Sequence, residues 1–238
     1  MSHAQPHPDA VKAMFARIAP QYDDFNFWLS LGQHQVWKAM AIKWSGAKLG
    51  DRLLDVCCGS GDLAFQAAKT VGIKGQVVGL DFCDALLAIA AQRQKNPRYS
   101  QFSLQWQRGD ALNLPFADQS FDAATMGYGL RNVGDIPQAL RELARVLKPN
   151  SRVAVLDFHH PANPFVQHFQ RWYLANIVVP FAKQWQLSDE YEYLQPSLDR
   201  FPAGPEQVTL ARQAGFAQAV HYPIANGLMG VLVAQKAL

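Results

Sequence analysis

Cysteine is scarce in this chain, and long apolar runs and blocks of like charge are missing. Only three cysteines occur among 238 residues, Cys57, Cys58 and Cys83. An odd number crowded into one region, with no C-x-x-C spacing, argues against a disulfide framework or a structural zinc site and for a reducing compartment. No stretch reaches the roughly 20 apolar residues that a membrane span requires. The densest aromatic and apolar run, Trp172–Ala182, is short and carries Asn176 and Pro180. Charged residues make up 17% of the chain, the formal net charge is only +3, and no lysine or arginine cluster stands out, so nucleic acid is not an expected partner. Met1–Pro8 has neither an apolar signal core nor an arginine-rich transit pattern, and a cytosolic location is the expectation. His34, His168 and His221 are scattered without ligand spacing, and no metal is expected.

What is present suits one sizeable α/β domain: 49% of residues are hydrophobic. The chain is organised around Leu53–Ala64. Leu53, Leu54 and Val56 form a short apolar strand, Gly59 and Gly61 permit a sharp turn, and Ala64 opens an apolar helix. Such a junction is expected to present free backbone N–H groups to a small molecule. The glycines alone are weak evidence, because Gly59–Ala64 also fits the dinucleotide pattern G-x-G-x-x-A. Asp55, just before them, is more telling.

Strand and helix signals alternate from there. Helices are expected near 62–70, 85–94, 136–147 and 206–214, and strands near 76–80, 103–108, 121–126, 153–158, 217–222 and 228–235. Lys148-Pro149-Asn150 reads as a helix stop, and Asn226-Gly227 as the turn of a terminal hairpin. Repeated βα units imply a mostly parallel sheet of about seven strands with helices on both faces. Ligands bind such sheets at the carboxyl ends of the strands, where Asp55, Asp81, Asp110, Gly127 and Asp157 fall. Residues 1–48, broken at Pro20 and Gly32, carry more aromatic surface than one helix needs and read as a helical cap on the main domain of residues 49–238. Residues 159–205, rich in proline, read as an inserted substrate lid. Core packing is the simpler reading of the aromatics in both segments.

An acid, a glycine turn, a second acid at Asp81 and then Gly109-Asp110-Ala111 form an ordered series that closely resembles class I S-adenosylmethionine-dependent methyltransferases. The resemblance implies a Rossmann-like seven-stranded fold whose last strand is antiparallel. Phe15–Asn26, Ser30–Lys38, Leu114–Phe116, Gly129–Val133 and Leu143–Pro149 further resemble the ubiquinone/menaquinone biosynthesis C-methyltransferases, over nearly the whole chain. Cys57–Ala64 and Gly79–Phe82 are most similar to the branch of oxygenic phototrophs that methylates demethylphylloquinone, with demethylmenaquinone or a ubiquinone precursor as the alternative acceptor. The resemblance implies S-adenosylmethionine held by Asp55, Gly59, Ser60, Gly61, Asp81, Phe82, Asp110, Ala111 and Gly127. Two departures stand out: Cys57 replaces a frequent glycine, and Gly127 stands where relatives can carry serine. Lys148–Ser151 replaces the usual Lys-Pro-Gly-Gly, with only a local turn change expected.

The implied reaction methylates a ring carbon beside a quinol hydroxyl, which becomes nucleophilic as that hydroxyl, with a pKa near 10 for an ordinary phenol, loses its proton. Arg131 and Asn132 lead the catalytic candidates; arginine is too basic to act as a base and would steady the phenolate, or else would simply bridge loop and helix. His159, with His160, follows a strand end and could be the base. Tyr22 and Asn26 could close over the ligand from the cap. Expected partners are a prenylated or phytylated quinol, a membrane in peripheral contact and a second copy of the chain. Two rivals remain: a nicotinamide-dependent oxidoreductase, which would share the glycines and Asp81, and a non-catalytic cofactor-binding subunit.

Overall fold

Leu53–Val56, Val77–Leu80 and Ala123–Met126 are apolar at most successive positions, and a strand of that kind is stable only with both faces covered. The computed structural model, which describes residue 30, residues 32–159, 161, 163–178, 180 and 194–238, sets these strands side by side. In chain order the elements are α1 (Gln33–Trp44), β1 (Arg52–Val56), α2 (Asp62–Val71), β2 (Gln76–Asp81), α3 (Asp84–Gln94), β3 (Ser103–Arg108), β4 (Phe121–Gly127), α4 (Ile136–Val146), β5 (Leu147–Phe158), α5 (Pro164–Tyr173), α6 (Leu194–Arg200), α7 (Gly204–Gln213), β6 (Phe216–Ile224) and β7 (Met229–Lys236).

The seven strands form one sheet in the order β3-β2-β1-β4-β5-β7-β6. The first five are parallel, and β7 runs antiparallel between β5 and β6. The period of two sorts the core into layers. Leu53, Val77 and Ala123 face one side, where Leu63, Ala64, Phe65 and Ala68 of α2 and Ile42 of α1 cover them. Leu54, Val56, Val78, Leu80, Ala124 and Met126 face the other, under Ala139, Leu140 and Leu143 of α4 and Ala211 of α7. Helix α4 starts where Asp135 accepts a hydrogen bond from the Gln138 amide at 2.9 Å, an N-cap with proline in the first turn.

Two local expectations need correction. Strand β5 does not wait until Val153 but begins at Leu147, directly after α4. Leu147 pairs with Phe121, and the next aligned pair is Arg152 with Ala123, so Lys148–Ser151 bulge out of the ladder and turn at Asn150 with φ 66°. Asparagine tolerates that left-handed conformation, which lets a bulge form where a plain helix stop was expected. The terminal hairpin turns over three left-handed residues, Ala225, Asn226 and Gly227, instead of two.

Of the segment read as a cap, α1 is described. It starts at Gly32 with φ 76°, and its Ala41, Trp37 and Trp44 pack with Ala154, Leu156, Met229 and Val231 of the sheet. Tyr22, Asn26 and Pro20, and His160 of the lid stretch, lie outside the described residues. Within 159–205 the described part comprises α5, a π-type turn over Leu174–Val178, and α6.

Candidate active site

The chain steps from β1 outward to β3, then crosses back to β4, so a crevice opens at the carboxyl ends of β1 and β4. Asp55 sits at its floor, fully buried. The register sets it opposite Thr125 of β4, whose hydroxyl donates to Asp55 Oδ1 at 2.8 Å. Asp55 Oδ2 has no hydrogen-bond partner among the described residues. Burial pushes this carboxyl up to about 7, against the pull of the Thr125 hydrogen bond. A buried oxygen left in that state suits an incoming hydrogen-bond donor, best a cationic one.

The turn after β1 is held in left-handed backbone at Cys57 (φ 55°), Gly59 (φ 55°) and Gly61 (φ 90°). Cysteine adopts that conformation at a cost of roughly 1–3 kcal/mol, so surrounding structure must impose it. Gly129 is part of that structure: a Cβ there would lie 2.5 Å from Cys57 Cβ. The expectation that the glycine N–H groups stand free is overturned. Gly59 N–H donates to Asp81 Oδ2 at 2.8 Å, and Gly61 N–H donates to the Cys58 carbonyl at 2.9 Å. The turn is so tight that its own amides reach the acceptors left over at the strand ends. The glycines therefore allow close backbone approach instead of supplying N–H donors to a ligand.

Asp81 closes β2. Its Oδ1 accepts from the Cys83 amide at 2.9 Å, and the Phe82 amide also points at the carboxylate. Burial nevertheless raises its pKa. Each carboxylate oxygen retains a second lone pair, so two adjacent hydroxyls could still bind here. Asp110, past β3, is exposed and accepts from the Leu112 amide at 2.9 Å, while the Ala111 side chain is buried in the main core. Gly127 ends β4, half-buried. Ser60 is buried, and its carbonyl and hydroxyl oxygens both accept from Arg93.

Across the crevice, Tyr128 takes left-handed backbone (φ 59°) and leads into a single 3-10 turn at Leu130–Asn132. Its carbonyl accepts from Arg131 Nη1 at 2.8 Å and Asn132 Nδ2 at 3.2 Å. Arg131 Nη1 also pairs with Asp157 Oδ1 at 2.6 Å, the Arg131 amide donates to Asp157 Oδ2 at 3.2 Å, and the guanidinium lies 5.1 Å from the Phe158 ring centre. The two charged side chains are 9% and 3% exposed, so this is an interior ion pair. Asn132 Oδ1 is buried with no hydrogen-bond partner among the described residues. The His159 amide donates to the Leu228 carbonyl at 3.0 Å, and its ring lies 4.6 Å from that of His221. Burial and the neighbouring His159 lower the His221 pKa to about 4. Sequence reasoning missed Thr125 and Arg93, and read His221 only as a scattered histidine with no place in the site. Strand-to-strand register or helix docking alone brings them in, and no local pattern marks them.

Burial raises the pKa of the Cys57 thiol most, and Asp81, Asp55, Asp157 and Asp110 all push it the same way. Of the four, Asp157 has its charge balanced by Arg131. The Gly59 and Gly61 amides, already engaged, are not offered to a pyrophosphate. The nicotinamide reading thereby loses the two glycine amides it would draw on. A buried acid under a glycine turn, a second acid at the end of β2 and the strand order found here define a class I S-adenosylmethionine-dependent methyltransferase. Solved structures share the fold: a methyltransferase from Thermotoga maritima superposes with a TM-score of 0.66 at 20% identity, covering 94% of this chain and 98% of that one. Another from Aquifex aeolicus gives 0.59 at 17% identity, covering 90% and 97%.

Residues 3–236 match the ubiE/COQ5 methyltransferase family, and the chain belongs to it. It is 69% identical over 232 residues to a Synechocystis protein named 2-phytyl-1,4-naphtoquinone methyltransferase, covering 98% of this chain and 97% of that one. It is 52% identical over 226 residues to the chloroplastic 2-phytyl-1,4-beta-naphthoquinone methyltransferase of Arabidopsis thaliana, covering 94% and 87%. The chain is thus an enzyme whose methyl donor is S-adenosylmethionine.

Proposed function

We propose that this methyltransferase methylates the ring of a phytylated naphthoquinol, converting demethylphylloquinol to phylloquinol. The observation that carries the reading is 69% identity across 98% of the chain to a protein named for that acceptor.

When bound, S-adenosylmethionine supplies an electrophilic methyl group on a positively charged sulfur. On the donor side, Asp81 and Phe82 would hold the ribose, Asp110 and Ala111 would border the adenine, and Asp55, Gly59, Ser60, Gly61 and Gly127 would enclose the methionine end. The unpartnered Oδ2 of Asp55 would accept from the ammonium there. On the acceptor side, Asn132 Oδ1 accepts the hydrogen bond of the quinol hydroxyl. Arg131, already anchored by Asp157 and the Tyr128 carbonyl, contributes positive charge beside the developing phenolate and does not take its proton. His159 is the base in this reading. The bound donor would supply the methyl group in exchange for the ring carbon's hydrogen, with His159 accepting the proton released and S-adenosylhomocysteine left as the second product.

The membrane in which long-tailed quinones dissolve is met by the outer face of α5 and the turn after it. Phe165 is 86% exposed there, with Trp172 and Ile177 also exposed. No helix among the described residues is long and apolar enough to cross a membrane, so contact would be peripheral.

The test supplies the purified enzyme with S-adenosylmethionine and chemically reduced 2-phytyl-1,4-naphthoquinone, and reads the added methyl group by mass spectrometry. Preferential methylation of a demethylmenaquinol or of a benzoquinol precursor would replace the proposed acceptor. Absence of transfer to any quinol would end the reading.

A further inference from the structure

Helix α2 begins directly under the cofactor turn, and its first residue, Asp62, is set between two cations from different helices. Lys38 of α1 approaches Asp62 Oδ2 at 2.9 Å, and Arg93 near the end of α3 approaches Oδ1 at 2.5 Å. The Lys38 and Asp62 side chains are 11% and 16% exposed, so solvent screens this group only weakly. Burial alone would raise the Asp62 carboxyl; Lys38 and Arg93 outweigh it and hold the pKa at about 2. A negative charge at the start of α2 is also favoured by the helix dipole.

Arg93 does more than balance charge. Its Nη1 donates to the Ser60 carbonyl at 3.0 Å and to the Ser60 hydroxyl oxygen at 3.1 Å, while Nη2 takes Asp62. The planar fork thereby ties the middle of the turn to the first residue of the helix that follows, and a lysine has no such fork. The guanidinium lies 5.1 Å from the ring centre of Phe65 on the same helix. Because Arg93 holds both oxygens of Ser60, it fixes the orientation of that residue's side chain as well as its peptide. A second polar link joins α1 to α2, where Gln66 donates to Gln35.

We infer that Arg93 is a positioning residue for S-adenosylmethionine, fixing Ser60 and the Gly59–Gly61 turn, and that the Lys38–Asp62–Arg93 relay couples the seating of α1 to cofactor binding. The relay joins a helix outside the βα units to the turn that meets the cofactor, so the two events share one set of charges. By linkage, a donor-site ligand that orders the turn must also steady α1. The inference concerns the donor site and stands whatever the acceptor proves to be.

The test is calorimetric titration of S-adenosylhomocysteine into the full chain and four variants: Arg93→Met, Arg93→Lys, Lys38→Met and, as control, Arg141→Met on the exposed face of α4. Arg93→Met is expected to weaken binding roughly tenfold or more, Arg93→Lys to recover only part of that, and Lys38→Met to weaken it about threefold. The Arg93 and Lys38 variants should raise KM for S-adenosylmethionine while kcat at saturation changes little. Hydrogen exchange supplies the second readout: the ligand should slow exchange of the α1 amides in the unaltered protein and much less in Lys38→Met. Binding within twofold of the unaltered protein in Lys38→Met and in any Arg93 variant that folds would overturn the inference. So would ligand protection of α1 that survives Lys38→Met in full.

Discussion

On the β1–β2 side of the crevice much of the holding is done by main chain: Asp81 accepts from the Gly59 and Cys83 amides, and the turn amides close on one another, with Thr125 on Asp55 and Arg93 on Ser60 as the side-chain contributions. On the β4–β5 side the work falls to side chains. Arg131 is set against Asp157, Asn132 hangs from the Tyr128 carbonyl, and the His159 ring lies beside His221. Main-chain geometry survives most substitutions, so the first half is suited to one invariant ligand. Side-chain geometry changes with each residue, so the second half, the proposed acceptor side, suits the exchange of one acceptor for another without rebuilding the fold.

The sharpest way to break this contrast is Asp157→Ala. It takes the carboxylate away from a guanidinium that is 9% exposed, and removing one partner of a buried pair costs about 3–5 kcal/mol. Urea denaturation should show that loss, with turnover abolished; a loss below about 1 kcal/mol would mean that the pair is not what holds this half together.

Asp55→Asn tests the donor half, and its sign depends on pH. The folded carboxyl has a pKa of about 7 against 3.8 unfolded, so between those values the folded protein keeps a proton that the unfolded chain releases. The stability this provides is fully present below about pH 4 and lost as pH rises through 7. Asp55→Asn should remove that slope, so that relative to the unaltered protein the variant gains on the order of 4 kcal/mol between about pH 4 and about pH 8. Affinity for S-adenosylhomocysteine should improve from about pH 6 to pH 8 in the unaltered protein, as Asp55 ionises, and stay flat and weaker in the variant. Parallel pH profiles for the two proteins would remove Asp55 from the cofactor site.

Asn132→Ala sharpens the division itself. We expect kcat to fall roughly tenfold to a hundredfold while S-adenosylhomocysteine binding is unchanged. A matching loss of donor affinity would show that the two halves do not act separately. The smallest effect is expected of Phe165→Ser, which should reduce sedimentation with quinone-loaded vesicles severalfold and leave turnover of a short-tailed, water-soluble quinol intact. Equal sedimentation would take α5 off the membrane.

Much of the donor half is legible in the amino-acid order. Asp55, the glycine turn and Asp81 belong to consecutive βα units, and contacts inside such a unit are short in sequence, so their order along the chain is also their order in space. The fate of the Gly59 and Gly61 amides cannot be read that way, because it depends on how tightly the turn closes against the end of β2. Cys57 is visible as a departure from glycine, but nothing in its neighbourhood of the chain shows that Gly129 makes room for it. Arg131 can be named as a candidate, whereas its burial against Asp157 and under Phe158 follows only from β4 and β5 being neighbours.

The alternation of strands and helices, the crevice at the carboxyl ends and the series of acids that suits a cationic methyl donor are all set locally, because periodicity and turn chemistry act over a few residues. Which acids are paired and which are left open is a matter for the tertiary structure. Thr125 reaches Asp55 across 70 positions of chain, Arg93 reaches Ser60 across 33 and Asp157 reaches Arg131 across 26. Those meetings follow from strand order, register and helix docking, which are properties of the whole sheet and are written in no single stretch of it.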